Sequence, residues 1–456
     1  MEFLNRKKEL DKLEQTFEQG GFLPIYGRRR VGKTTLIQQF IKNKDSVYYL
    51  AAQEPVNQQV KEFKNLMADH INDEFLRNSD ISNWKSLFTY LKQNMDAERK
   101  SCIVIDEVTF IIRKNDSFPS YLQKFWDNFL KDSNTSLVLS GSLIGLMKES
   151  ILSQSSPVYG RRTGQINLKP LSIEHLAKLF DNLKQSIKLY SILGGIPKYY
   201  EEVDYNKEFP EVINQMLDPE SFFFEEGIFL LSQEFKELGN YNAILQSISK
   251  GNHRATKIAN DIGMETRQIY TYLDKIYEIG LIEEKRPITE KNTKSRNKRY
   301  YLEDNFTRFW YKIIFPERSR IQSEEVKYKN IKKQLKHLIS QSFKEISRET
   351  IRKTGNYQKV GRWWCKEDEI DIVALNEEKE EILFGECKWT ETKVGTELLT
   401  KLEEKSQKVR WQNQKTRTEK YSLFSKNGFT EKMREKTEER KDITLYNLEK
   451  IRKTLQ

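Results

Sequence analysis

Gly27 and Gly32 bracket the four residues Arg28-Arg29-Arg30-Val31, and Lys33, Thr34 and Thr35 follow at once. This GxxxxGK[ST] spacing lies between the apolar run Phe22-Leu23-Pro24-Ile25-Tyr26 and the amphipathic start Thr35-Leu36-Ile37-Gln38-Gln39-Phe40. A strand before it and a helix after it are the setting in which the pattern cradles phosphate. Two glycines let the backbone turn its N–H groups inward around phosphate oxygens. Lys33 supplies a cation for β- and γ-phosphates, and Thr34 supplies a hydroxyl for Mg²⁺. A helix beginning near Lys33 adds the positive end of its dipole. The loop residues 27–35 are therefore a candidate nucleotide site.

A second signature follows in Cys102-Ile103-Val104-Ile105-Asp106-Glu107. A near-continuous apolar run of this kind predicts a central parallel strand. Asp106 at its carboxyl end is placed to hold Mg²⁺, and Glu107 to polarise an attacking water. Further strands are expected at 46–50, 136–142 and 164–168, with a helix over 119–131. Strands alternating with helices predict a parallel, doubly wound sheet. Ser140 or Ser142, at the end of the fourth strand, is the candidate sensor of the γ-phosphate or of water.

The form Tyr26-Gly27-Arg28-Arg29-Arg30-Val31-Gly32-Lys33-Thr34 is far more specific than the bare loop pattern. Taken with Phe3-Leu4-Asn5-Arg6, Ile105-Asp106-Glu107, Ser140-Gly141-Ser142, Tyr159-Gly160-Arg161-Arg162 and Gly194-Gly195-Ile196-Pro197-Lys198-Tyr199, it resembles the archaeal-type ATPase family, within the AAA+ and STAND group. The resemblance implies ATP with Mg²⁺ as ligands and a place beside the adenine for Asn5 and Arg6. It also implies that the helical stretch 173–234 forms a lid over the nucleotide. Asn5 also suits a helix cap ahead of Glu9. Arg161 or Arg162 is a candidate for reaching the γ-phosphate, in cis or from a neighbouring subunit; the alternative is a pair of surface arginines. Such an arginine is worth ~10³-fold or more in rate.

A chain of 456 residues is long for a single core, so several domains are expected. Its 78 Lys and Arg against 67 Asp and Glu leave a formal charge of +11, which favours polyanionic partners. The three cysteines, Cys102, Cys365 and Cys387, are widely separated, which predicts a reducing compartment and no disulfide framework. No apolar run approaches the ~20 residues of a membrane span, and residues 1–8 lack a signal-peptide core. A cytoplasmic protein without membrane contact is expected. No heptad run predicts an oligomer, although a homo-oligomer would supply an arginine in trans.

In the middle of the chain, helices over 243–248, 256–263 and 265–279 precede a turn into a strand at 281–283. A basic loop (291–299) then leads to a strand at 300–302. This is the order of a winged helix-turn-helix. Arg267, Gln268, Thr271 and Lys275 on the third helix would face a DNA groove, and Lys294, Arg296, Lys298 and Arg299 on the wing would meet phosphates. The alternative is that this element packs against the ATPase domain and transmits its state.

Residues 367–375 alternate, 376–379 turn, and 381–389 return as a partner strand. Side chains alternate along a strand, so Glu386 and Lys388 share a face while Cys387 points into the core. Asp371 with Glu386-x-Lys388 resembles the motif of the PD-(D/E)xK nuclease superfamily, without its proline. The resemblance implies Mg²⁺ held by Asp371 and Glu386, Lys388 orienting water, and Glu345 on an upstream helix completing the site. Asp371-Ile372-Val373-Ala374, Glu386-Cys387-Lys388-Trp389 and Tyr421-Ser422-Leu423-Phe424 also resemble the uncharacterised C-terminal domain attached to archaeal-type ATPases.

The expected fold is α/β. A P-loop ATPase domain with a parallel sheet (1–172) is followed by a helical lid (173–234), a winged helix-turn-helix (235–305) and an α/β restriction-endonuclease-like domain (306–456). The expected function is ATP binding and hydrolysis coupled to a C-terminal part that binds DNA or cleaves it with a metal. A non-cleaving regulator or scaffold and a STAND-type signalling ATPase are the competing readings.

Overall fold

A computed structural model describes residues 6–180, 182–290, 297–414 and 416–455. Asn5, Lys294 and Arg296 lie outside the described residues. The chain forms two compact units, Met1–Pro170 with Ile196–Lys198, and Leu171–Gly195 with Tyr199–Gln456.

The first unit is built on five parallel strands: β1 (Phe22–Tyr26), β2 (Ser46–Leu50), β3 (Ser101–Asp106), β4 (Thr135–Gly141) and the short β5 (Ile166–Asn167). Their order is β2-β3-β4-β1-β5, so β4 is inserted between the strand that leads into the glycine loop and the strand that ends in Asp106. Every residue of β1, β3 and β4 is buried, as expected of central strands covered by helices on both faces. Tyr26 is in register with Gly141, so Gly27 and Ser142 leave the sheet at the same end. On one face an aromatic cluster centres on Trp84, which is fully buried. Its ring centroid lies 5.4 Å from that of Phe63, 5.7 Å from Phe88 and 5.0 Å from Phe118.

In the second unit, the three helices Gly239–Lys250, Ala255–Ile262 and Thr266–Glu278 precede an antiparallel pair, β6 (Ile282–Lys285) and β7 (Arg299–Leu302). Gly251 and Gly263 end the first two helices in the left-handed region, at φ +111° and +69°, where a side chain is disfavoured. A 26-residue helix, Tyr328–Lys353, then packs on a second sheet. That sheet comprises β8 (Lys359–Cys365), β9 (Asp368–Asn376), β10 (Glu381–Lys388), β11 (Thr418–Ser425) and β12 (Ile443–Tyr446), in the order β12-β11-β10-β9-β8. β8, β9 and β10 are antiparallel neighbours, whereas β10, β11 and β12 are parallel. The parallel step from β10 to β11 is crossed by the helix Thr396–Ser406.

Of residues 173–234, read from sequence as a lid, 173–195 and 199–234 belong to this second unit. The helix Leu183–Leu193 packs on Asn305–Phe309 and on the 26-residue helix. Asn305 fastens the three together: its Nδ2 donates to the Tyr190 carbonyl at 2.8 Å, and its Oδ1 accepts from the Ser342 hydroxyl at 3.1 Å. No helix among the described residues is long and apolar enough to cross a membrane.

Trp84→Ala removes a large, fully enclosed ring and is expected to destabilise the first unit by about 3–5 kcal/mol. Urea unfolding followed by circular dichroism would show the first transition at lower denaturant.

Candidate nucleotide site and C-terminal carboxylate pair

The glycine loop joins β1 to the helix Lys33–Ile41. A Cβ on Gly27 would stand 2.4 Å from the Leu168 carbonyl oxygen, and Gly32 has φ +95°. Neither position accepts a side chain without a shift of the loop. Arg30 also takes a left-handed φ of +67°. Lys33 is buried, and its Nζ donates to the carbonyls of Gly27 at 3.0 Å and Arg28 at 3.1 Å. Its ammonium is thus held inside the curve of the loop. Val31 is buried beneath the loop, while Arg28, Arg29 and Arg30 are half-buried and Thr35 is exposed. Arg6 braces the loop: its Nη2 donates to the Val31 carbonyl at 3.2 Å and to the Lys169 carbonyl at 2.8 Å.

Asp106 is fully buried and accepts three hydrogen bonds. Thr34 Oγ1 and the Tyr48 hydroxyl donate to Oδ2 at 2.7 and 2.9 Å, and the Glu107 N–H donates to Oδ1 at 2.9 Å. Burial, reinforced by the Asp106 charge, holds the Tyr48 phenol well above its ordinary range, so Tyr48 stays a donor. Tyr48 was not singled out from sequence, because its register opposite β3 is a tertiary fact. Glu107 sits at φ +53°, and its carboxylate accepts from the N–H of Ser142 at 3.1 Å and its hydroxyl at 2.7 Å. The serine that meets the acid is therefore Ser142. Ser140 is fully buried and its hydroxyl has no hydrogen-bond partner among the described residues. The loop, Lys33, Thr34 and Asp106 fit a nucleotide phosphate chain with Mg²⁺, because the glycine-bracketed loop and the hydroxyl–carboxylate pair leave one end of the sheet together.

Arg161, a candidate for the γ-phosphate, lies in the segment before β5. Its guanidinium pairs with Asp127 through Nε and Nη2, the latter at 2.9 Å, and also donates to the Pro157 and Tyr159 carbonyls. The side chain thus meets its own loop and the helix Phe118–Asn128. Arg162 donates to Gln165 at 2.6 Å and to the Leu152 carbonyl at 3.1 Å. It is close enough for its charge to act on the Tyr26 phenol at the end of β1.

In the second sheet, Asp371 on β9 and Glu386 on β10 are both buried and share a hydrogen bond. Each carboxylate has a lysine that sequence reasoning missed. Lys344 Nζ lies 2.5 Å from Asp371, and Lys405 Nζ lies 2.6 Å from Glu386. Lys344 comes from the helix Tyr328–Lys353 and Lys405 from the helix Thr396–Ser406 that follows β10. Asp371 is held below the usual carboxylate range; burial raises it, but Lys344 and the Cys387 N–H lower it further. Burial and the neighbouring Asp371 charge push Glu386 up to about 7.

Glu345 pairs with Arg308 at 2.8 Å, and among the described residues no three His, Cys, Asp or Glu side chains gather as metal ligands. Cys387 is buried as the strand alternation predicts, whereas Lys388 ends β10 exposed and lines a shallow cleft with Lys333, Lys336 and His337. Two carboxylates, each already closed by a lysine, do not fit a Mg²⁺ cage in this arrangement.

Comparison with known proteins bears on both units. Residues 3–203 match an ATPase domain family predominantly from Archaea. Residues 310–418 match a family described as Archaea bacterial proteins of unknown function. An uncharacterised protein of Methanocaldococcus jannaschii is 33% identical over 408 residues, covering 86% of this chain and 88% of that protein. An uncharacterised ATP-binding protein of the same organism is 50% identical over 44 residues, 9% of this chain and 75% of that protein. Among solved structures, a Walker-type ATPase of Pyrococcus abyssi is 20% identical, with a TM-score of 0.48, over 68% of this chain and 96% of that one.

Glu386 is protonated more readily folded than unfolded, so its contribution to stability is fully present below about pH 4.5 and is lost as pH rises through about 7. Glu386→Gln removes that loss. Between pH 5 and 8 the variant should therefore lose on the order of 1–2 kcal/mol less stability than wild type, read from urea midpoints across that range.

Proposed function

We propose, for a chain that belongs to the archaeal-type ATPase family, that ATP turnover at the glycine loop governs how the second unit engages DNA. The observation that carries the first half is the hydrogen-bonded set Thr34–Asp106–Glu107–Ser142 at one end of the parallel sheet. Lys33 and the N–H groups of the loop would bind the phosphates, and Thr34 with Asp106 would hold Mg²⁺. When bound, Mg²⁺ neutralises charge on the phosphate oxygens. Glu107 orients and deprotonates the attacking water, and Ser142 fixes the direction of its carboxylate. Asn5 and Arg6 are assigned to the adenine end of the site.

We read the three helices with β6 and β7 as a winged helix-turn-helix, and the second sheet with its helices as a restriction-endonuclease-like domain. The third helix carries the DNA reading. Ile269, Leu273 and Ile276 are buried on one face, while Arg267, Gln268, Thr271 and Lys275 are exposed on the other. Tyr270 and Tyr277 stand out beside them at 43% and 52% exposure. Cations interleaved with aromatic rings suit a phosphate-lined groove. The described wing residues take no part in this face, since Lys298 pairs with Glu284 at 2.6 Å and Arg299 turns to Glu369.

A second reading, cleavage of DNA, is favoured by one observation: Asp371 and Glu386 meet on adjacent antiparallel strands. It requires Lys344 and Lys405 to give way, and no step is derived through a metal there.

Glu107→Gln should keep ATP binding and lower kcat by about 10²–10⁴-fold, measured by phosphate release. In the same preparation, duplex DNA affinity with ATP, with ADP and without nucleotide should differ by at least about fivefold. Arg267→Ala with Lys275→Ala should abolish the difference. Equal affinity in all three states would overturn the coupling. Strand cleavage with Mg²⁺ or Mn²⁺ that is lost in Asp371→Ala would establish the second reading.

A further inference from the structure

The second unit contains a cavity of about 330 Å³, at the small end of the ~300–1,000 Å³ of ligand pockets. Its wall comes from the end of the helix Gly239–Lys250, from β6 and β7, from the helical segment that carries Arg308 and Lys312, from the helix Tyr328–Lys353, and from β8 and β9. Eight lysines and arginines line it against two glutamates, Glu345 and Glu369. Six of the eight have carboxylate partners, and three of these, Lys250, Lys285 and Lys344, pair with Asp261, Glu283 and Asp371 outside the lining. Glu345 takes Arg308, while Arg299 and Arg362 share Glu369. Lys312 donates to the Ser249 carbonyl at 3.0 Å and Arg348 to the Asp371 carbonyl at 2.9 Å; among the described residues neither forms an ion pair. Arg348 is 7% exposed.

A buried cation that meets only neutral acceptors costs free energy; here the buried Arg348 and the half-buried Lys312 line the same space. Two further polar atoms of lining residues, Arg362 Nε and the Tyr301 hydroxyl, are buried with no hydrogen-bond partner among the described residues. The field of the lining is visible at its histidines. Burial, then Arg362 and Arg299, pushes His253 down to about 4, and His337 is lowered by burial and by Lys312 and Lys344.

The geometry points to this cavity as a binding site for a compact small molecule bearing several linked phosphates. Guanidinium forks match phosphate oxygens bidentately, and lysines add point charge. A ligand of three linked phosphates would satisfy donors from the β6–β7 hairpin, from the long helix and from β8 at once. Occupancy would therefore clamp the three-helix element onto the second sheet. The site is made only of second-unit residues and does not depend on ATP turnover in the first. Asp371 and Glu386 do not line it.

The test uses full-length protein carrying Lys33→Ala, so that the glycine loop does not compete, and inorganic tripolyphosphate as the probe in titration calorimetry. The expected result is one saturable site, weakened at least tenfold by Lys312→Gln and by Arg299→Gln and unchanged by Lys432→Gln on an exposed helix. Circular dichroism checks that each variant is folded. No binding, or binding that Lys312→Gln and Arg299→Gln leave untouched, overturns the proposal. So does a lining that loses affinity only for a 20-base-pair duplex, since the cations would then be a track for DNA.

Discussion

The carboxylate of Asp106 holds the first unit's chemistry in place. It is fully buried, and its position depends on three donors from three places in the chain: Thr34 on the helix after the glycine loop, Tyr48 on β2, and the N–H of Glu107. A buried carboxylate without such donors would be driven to protonate or would unfold its surroundings. The same bonds that make the charge tolerable also fix the hydroxyl and the acid flanking the phosphate cradle. Glu107 adopts a left-handed backbone there, a conformation that non-glycine residues hold only when neighbours over-determine it. Ser142 provides that restraint from the end of β4.

The second unit handles buried charge differently. Asp371 and Glu386 share a hydrogen bond across adjacent strands, and each is closed by a lysine from a helix. One carboxylate is held ionised, while its partner is pushed toward neutral pH. Removing one member of such a set leaves an uncompensated charge, which makes the arrangement specific even where it adds little net stability. A few ångströms along the long helix, Arg308 captures Glu345 and Arg348 is left with only a main-chain carbonyl. The acid pair is thus matched by cations, whereas Lys312 and Arg348 line the adjoining cavity without a carboxylate partner among the described residues.

Strand positions and the glycine loop were legible in the sequence because both obey local rules. Cys102 to Asp106 is an apolar run that is buried throughout, whereas β9 and β10, read as alternating around a polar turn, keep their places but are buried nearly end to end. Boundaries of the larger parts were less legible. Residues 173–234 look helical from their spacing, but which unit a helix joins depends on partners such as Asn305 and Ser342, more than a hundred residues away.

The identity of the phosphate cradle, the acids at strand ends and the buried or exposed faces of helices followed from residue type and period, which are short-range properties. The partners of those residues were decided only by tertiary structure. Tyr48 on Asp106, Ser142 rather than Ser140 on Glu107, Asp127 on Arg161, Arg308 on Glu345, and Lys344 and Lys405 on the carboxylate pair are all contacts between separate elements. Which cation reaches which acid depends on strand order and on helix rotation, and a charge-rich sequence allows many pairings of equal local quality. The folded core selects one of them, because only one set of backbone positions buries the apolar faces and leaves those side chains within hydrogen-bond reach.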